Sequence, residues 1–327
     1  MIQSLSGPRK VSYALVILAL AGAARFDLGH ALIAGLFAYM MLEQALDAFR
    51  GAGVSPRLSR WASVAVFLVV GLLLSVIFAA FVEIVLERLP ALLDRLLPRM
   101  DALARRFGRG LPVDNVQEMR SLILVTLKEN ARSITMTSGL LTRGFFQIIV
   151  AVVIAIMGFM AETGSLDGRR GLDGDLLREC RDRATLFAFS FQLVMGAQIL
   201  IAAINAAAAA ALLFAFHIPF RTMLTLATFV FGMIPIAGNV ISNTLIVASA
   251  LTISDHLALV ALIFLVVVHK GGYFLNSRIV GARTETPSWA ILLGLLVGEA
   301  LMGVTGVILA PTLIYYVRAE LRAIPQR

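Results

Sequence analysis

Residues 222–252 read TMLTLATFVFGMIPIAGNVISNTLIVASALT, an apolar run that stops at Pro235 and resumes after Gly238 as far as Thr252. Proline removes a backbone donor and crowds the preceding turn, while glycine accepts the backbone angles a reversal demands. Each half holds about 15 residues, or roughly 22 Å as helix, against a hydrocarbon core of about 30 Å. Neither half spans a bilayer comfortably alone. The pattern recurs from Ser288 to Gly303 and from Val307 to Val317, interrupted by Gly303, Val304, Thr305 and Gly306. Two broken apolar segments in corresponding places predict re-entrant helical hairpins. Gly232, Pro235 and Gly238 mark the first break, and Gly303, Gly306 and Pro311 the second. The competing reading is two kinked helix pairs that simply cross, with proline and glycine absorbed as kinks.

The rest of the chain sets these segments in a membrane. Of 327 residues, 59% are apolar and 15% charged, and the mean hydropathy is +0.90. Soluble domains run about 45–50% apolar and about 25% charged, so this surplus exceeds what one water-soluble core can hide. The runs are rich in Leu, Ala, Val and Gly without the period-two alternation of a transmembrane strand. An all-α, polytopic bundle follows, because a helix satisfies its own backbone hydrogen bonds in lipid. The net charge of +8, from 28 Lys and Arg against 20 Asp and Glu, comes from basic residues dispersed near the ends of apolar runs. That is the ordinary juxtamembrane pattern, and no basic cluster with interleaved aromatics points to nucleic acid. The single cysteine, Cys180, excludes an intrachain disulfide and a cysteine-based zinc cage, and four dispersed histidines have no ligand spacing. No metal and no cofactor is expected.

Along the chain, Arg9 and Lys10 precede an apolar stretch from Val11 to Ala24. This resembles a signal peptide but is favoured as a retained first helix, turning tightly after Arg25 and Asp27 into a second from Leu28 to about Phe49. Further runs cover Trp61 to Leu89, Leu140 to Ala161, Ala184 to Phe216 and Leu257 to Val268. These divide the chain into an N-terminal hairpin with a basic loop (1–60), helices flanking an amphipathic arm (61–163), a polar loop (164–183) and a transport core (184–327). In the arm, about 89–133, Leu89, Leu92, Leu93, Leu96, Leu97, Met100, Leu103 and Phe107 recur at helical spacing, and Met119, Leu122, Ile123 and Leu127 suggest a second helix. Packing against the bundle or a neighbouring subunit is the favoured reading for this arm over a membrane-surface role. Arg50, Arg57, Arg60, Arg318, Arg322 and Arg327 favour cytoplasmic amino and carboxyl ends. The bundle then has about six full transmembrane helices plus the two broken hairpins, at 222–252 and 288–317, in an inverted-repeat arrangement.

Polar groups inside apolar runs are costly and face a cavity or a partner. Asn239, Ser242, Asn243 and Thr244 lie just beyond the first break, where the second half-helix would present unpaired backbone N–H groups. Gln192, Gln198 and Asn205 recur at roughly helical spacing on the fifth run. Glu299 sits mid-segment as either a coupling group for a cation or proton, or a partner for Lys270, Arg278 or Arg283. Interhelical bonding is the plain alternative for the amides and hydroxyls.

The same breaks carry a family likeness. Gly232-Met-Ile-Pro-Ile-Ala-Gly238 resembles the Ile-Pro-x-x-Gly element of the autoinducer-2 exporter (AI-2E) family. Tyr273 to Gly281 with Pro287, containing Asn276, Ile279 and Gly281, is similar to its Asn-x-x-Ile-x-Gly region. The close at Gly303, Gly306, Ala310 and Pro311 resembles the family's glycine-rich ending. The chain departs from the family pattern at Asn239, Ser277, Gly271 and Gly272. The resemblance implies a bacterial inner-membrane transporter, an exporter of a small hydrophilic molecule such as a quorum-sensing autoinducer. Some relatives act as cation/proton antiporters. It also implies a homo-oligomer, with a pentamer as the expected form. Beyond the bilayer, the solute and further copies of the chain, no partner is expected. No His-Glu-x-x-His, Gly-x-Ser-x-Gly or phosphate loop is present, so neither an enzyme nor an ATP motor is supported. The rival of another class is a membrane regulator or scaffold that transports nothing.

Overall fold

A computed structural model describes residues 7–106, 121, 125, 138–161, 171–235, 237–279 and 287–323. These form helices throughout: α1 (Gly7–Arg25), α2 (Gly29–Gly51), α3 (Pro56–Arg106), α4 (Ser138–Met160), α5 (Leu172–Ala215), α6 (Arg221–Gly232), α7 (Ala237–Leu251), α8 (Asp255–Ile279) and α9 (Ser288–Arg322). Among the described residues α2, α3, α4, α5 and α9 contain stretches long and apolar enough to cross a membrane. About six were expected. Four of these are among the five, α1 and α8 are not, with the apolar part of α8, Asp255–Val268, below spanning length, and the fifth is α9, expected as a broken hairpin.

Packing divides the chain into two units. The first comprises Met1–Leu72, Thr142–Gly196 and Thr286–Arg327, and the second Leu73–Leu141 and Ala197–Glu285. In the first, α1 turns into α2 through Asp27, which adopts a left-handed φ of 54°, while the amide of Leu28 closes on Ala23 at 2.8 Å. Leu42 and Leu46 of α2 bury against Phe159 of α4. Phe37 meets Phe191 of α5 edge to face at 5.1 Å.

The break in α9 lies at Gly303, with φ 59° and ψ −140°. Residues eight apart in a straight helix lie about 12 Å apart along its axis. Here a Cβ on Gly306 would overlap the carbonyl of Gly298, and Gly294 lies against Ala310 and Ile314. The chain therefore doubles back at Gly303 into two antiparallel halves in backbone contact, an approach that only glycine at 298 and 306 permits. Pro311 sits inside the second half, where the helix keeps its dihedrals.

In the second unit α5 reverses through His217 and Phe220, both at positive φ, into the short helices α6 and α7. These pack against each other, and α7 packs on α8. Their core includes Leu213, Leu224, Ile246 and Ala261, all fully buried. The amphipathic stretch from Leu89 joins it as the continuation of α3, which runs through Pro90 and Pro98 for 51 residues, about 76 Å of helix. Leu92, Leu93 and Leu97 are buried, Leu92 within that core. Arg95 lies 5.6 Å over the Phe220 ring, and Arg106 pairs with Asp255 at 3.2 Å. The second amphipathic helix, around Met119 to Leu127, falls on Ser121 and Val125 but otherwise outside the described residues.

The polar loop expected over 164–183 is helical from Leu172. Asp173 and Asp175 occupy the first turn of α5, where carboxylates oppose the positive end of the helix dipole. Arg178 pairs with Asp175, and Arg183 with Glu179 at 2.7 Å, which supports these turns from within.

Candidate functional site

The first break is a tight reversal between α6 and α7. Ile234 donates to the Phe231 carbonyl at 2.8 Å, Ala237 to Pro235 at 2.7 Å and Gly238 to Ile234 at 3.2 Å. Two of the amides at the start of α7, those of Ala237 and Gly238, are thus consumed by the turn itself. A Cβ on Gly238 would overlap the Phe231 carbonyl, so glycine here lets α7 start directly against the end of α6.

One face of α5 meets this reversal. Gln198, Ala202 and Asn205 follow an i, i+4, i+7 stripe. Gln198 Nε2 donates to the Gly232 carbonyl at 2.7 Å, which satisfies one of the acceptors a helix end leaves open. Ala202, fully buried, touches Gly232, where even a methyl group would sit at 3.0 Å from its Cβ. Asn205 Nδ2 donates to Asn239 Oδ1 at 3.5 Å. That is long for an amide bond, so the two side chains are juxtaposed without being locked together. Both are half-buried.

The other expected residues are placed as follows. Ser242 is buried and donates to the Asn239 carbonyl at 3.3 Å. Asn243 is half-buried one position further on. Thr244 is exposed and spends its hydroxyl on the Val240 carbonyl of its own helix at 2.7 Å. Pro235 is half-buried at the turn. Gln192 is half-buried and belongs to the first unit; six residues before Gln198, it points about 120° around the helix from the amide stripe. Glu299 belongs to the first unit as well, exposed on α9 between exposed Leu296, Val297 and Leu301. Lys270, Arg278 and Arg283, its expected partners, lie outside the described side chains. Among the described residues no three His, Cys, Asp or Glu side chains gather as a metal site would require.

Sequence reading missed a buried ionic cluster in the first unit. Arg183 Nε of α5 lies 3.1 Å from Glu320 Oε1 of α9, with the two side chains 8% and 7% exposed. The contact is an ion pair by distance, but its angle falls short of a hydrogen bond. Tyr13 of α1 donates to the other Glu320 oxygen at 2.7 Å, and Arg183 stacks 4.8 Å over the Tyr13 ring. Three helices are joined there by charge. The only signal in the sequence was a charged residue at each end of an apolar run.

Long apolar helices, a proline-broken helical hairpin and amides gathered at the break define a multi-pass α-helical membrane protein. The family model described as AI-2E family transporter matches residues 12–326, and the chain belongs to that family of membrane transporters. It is also similar to "Putative transport protein YdbI" of Bacillus subtilis (strain 168), with 32% identity over 127 residues. That alignment spans 38% of this chain and 36% of the relative, about a third of either protein.

Proposed function

We propose that the protein exports a small hydrophilic solute, of the autoinducer class, across the bacterial inner membrane, with both chain ends in the cytoplasm. The observation that carries this reading is the convergence of Gln198, Asn205 and Asn239 on the broken α6–α7 hairpin. Amides of this kind offer both donors and acceptors to hydroxyl groups, and the long Asn205–Asn239 contact can be exchanged for solute contacts at little cost. The pathway residues, all in the second unit, are Gln198, Asn205, Pro235, Gly238, Asn239, Ser242, Asn243 and Thr244, with Gly232 as their hinge position; in the first unit Gly303, Gly306 and Pro311 are the hinge positions of α9. Transport proceeds by alternating access, in which the α6–α7 break opens first to one side of the membrane and then to the other. The working form is a homo-oligomer, with the pentamer as the form to test. No catalytic step is assigned to any residue.

A second reading, a cation/proton antiporter, rests on Glu299. An exposed carboxylate in the otherwise apolar first half of α9 is expensive in a membrane, and in transporters such groups mark ion pathways. The test is solute flux in proteoliposomes under an imposed proton gradient, an imposed sodium gradient, and neither. The solutes are autoinducer-2 and small polyols. Gradient-dependent solute flux that is lost in Glu299→Gln, with assembly intact, supports the exporter and identifies its coupling ion. Normal coupled flux in that variant removes Glu299 from the mechanism. Ion exchange without solute flux favours the antiporter, and no flux from folded, oriented protein favours a regulator or scaffold.

A further inference from the structure

The first unit contains a groove of about 1010 Å³ that the transport reading does not use. One wall is a single face of α2, from Leu28 to Arg50. Those 22 steps of helix cover about 33 Å, comparable to the hydrocarbon thickness of about 30 Å. The opposite wall is a face of α4, and small residues give the groove its depth. Gly35 lies against Ala151, 3.4 Å from its carbonyl to an added Cβ, and Ala155 and Gly158 continue the floor. At the rim Phe146 and Ile154 are 64% and 63% exposed. Both lie on a helix apolar enough to span, so exposed apolar side chains flank the slot.

Its two ends differ chemically. At one end it is lined by Leu28, Leu32 and Phe146; at the other, where α2 and α4 finish and α3 begins, it is lined by Arg50 and Arg60, and Arg181 of α5 lines it near Tyr39. Arg60 donates to the Met160 carbonyl at 3.5 Å, and neither Arg50 nor Arg181 forms an ion pair among the described residues. Three guanidinium groups and one carboxylate, Glu43, line the groove, which leaves an excess of positive charge along a long apolar slot. Guanidinium matches phosphate in a bidentate fashion.

We infer that this groove is a binding site for an anionic phospholipid. Its acyl chain lies along the α2–α4 slot, and its phosphate is held by Arg50, Arg60 and Arg181. A basic side chain near an anionic headgroup contributes about fivefold in affinity, so the wild type should prefer an anionic lipid over a zwitterionic one on the order of tenfold or more.

The full-length protein would be placed in nanodiscs of equal phosphatidylglycerol and phosphatidylcholine, and the lipids that stay bound counted by native mass spectrometry. The expected result is selective retention of phosphatidylglycerol, abolished in R50Q/R60Q/R181Q and kept in weakened form in R50K/R60K/R181K, where the charge remains but the bidentate geometry is lost. The lysine variant separates loss of charge from loss of fold. Ala155→Phe, which fills the slot but leaves the charges, should lower phosphatidylglycerol retention several-fold. Equal retention of the two lipids, or unchanged selectivity in the glutamine variant, would overturn the inference. Displacement of the bound lipid by glycerol phosphate alone would also overturn it, by assigning the site to a water-soluble anion. So would capture of a second copy of the chain by the lipid-free groove.

Discussion

Gly238→Ala is the sharpest perturbation of the α6–α7 hairpin. Its added methyl would overlap the Phe231 carbonyl oxygen, whereas real Cβ atoms essentially never approach closer than 3.0 Å. Backbone has to move, because the obstacle is not the tip of a flexible side chain. The same carbonyl accepts from Ile234 at 2.8 Å, and Gly238 itself donates to Ile234 at 3.2 Å, so opening the turn strains both bonds. Overpacking of this kind costs about 1–3 kcal/mol, and a buried polar group left unpaired costs about 1–3 kcal/mol more. A total on the order of 3 kcal/mol corresponds to a fall in Tm of about 4–5 °C for a chain of this size. The assay is thermal unfolding in detergent, followed by tryptophan fluorescence and circular dichroism. Gly196→Ala serves as control, since nothing lies within 4 Å of the added Cβ on that helix. Alanine is favoured there by about 1 kcal/mol of helix propensity. Equal stability of the two variants would refute the close approach at the break.

Three further outcomes follow from the geometry. Glu320→Ala takes from buried Arg183 one of its two carboxylates, Glu179 remaining at 2.7 Å, and from Tyr13 its acceptor, and should destabilise by about 1–3 kcal/mol. Adding Arg183→Ala takes the partner from Glu179 as well and should lower the unfolding midpoint further. Gln198→Leu removes the donor to the Gly232 carbonyl and should cost about 1–3 kcal/mol, measured against the same wild-type midpoint. Asp255→Asn dissolves the exposed pair with Arg106, whose side chains are 51% and 74% exposed. It should change stability by less than about 1 kcal/mol in the same thermal assay.

The membrane class and the positions of both chain breaks could be read directly, because proline and glycine inside an apolar run act locally, whereas the sequence left reversal and a crossing kink both open. Pro235 with Gly238, and Gly303 with Gly306, interrupt helices within a few residues of themselves. Helix length was harder to read. Asp173, Asp175 and Glu179 look like loop residues in composition, yet they suit the first turns of α5 by opposing its dipole and by pairing with Arg178 and Arg183. The arm from Leu89 was recognised as amphipathic, but its continuity with α3 through Pro90 and Pro98 was not, since each proline reads as a stop. Least accessible was the cluster of Tyr13, Arg183 and Glu320. Tyr13 and Glu320 are 307 residues apart, and no local periodicity carries a contact of that separation. The amide stripe was half-legible: Gln198 and Asn205 share a helical face, whereas Gln192 does not.

The central claim is that Asn239, at the α6–α7 break, faces a solute pathway rather than a sealed contact between helices. Cys180 is the protein's single native cysteine, so a Cys180→Ser background carrying Asn239→Cys leaves one thiol to follow. Its reaction with a membrane-impermeant thiol reagent would be timed in proteoliposomes, with and without the transported solute. The account predicts labelling from the aqueous phase that the solute slows. A folded protein whose thiol stays unreactive from both faces would contradict it.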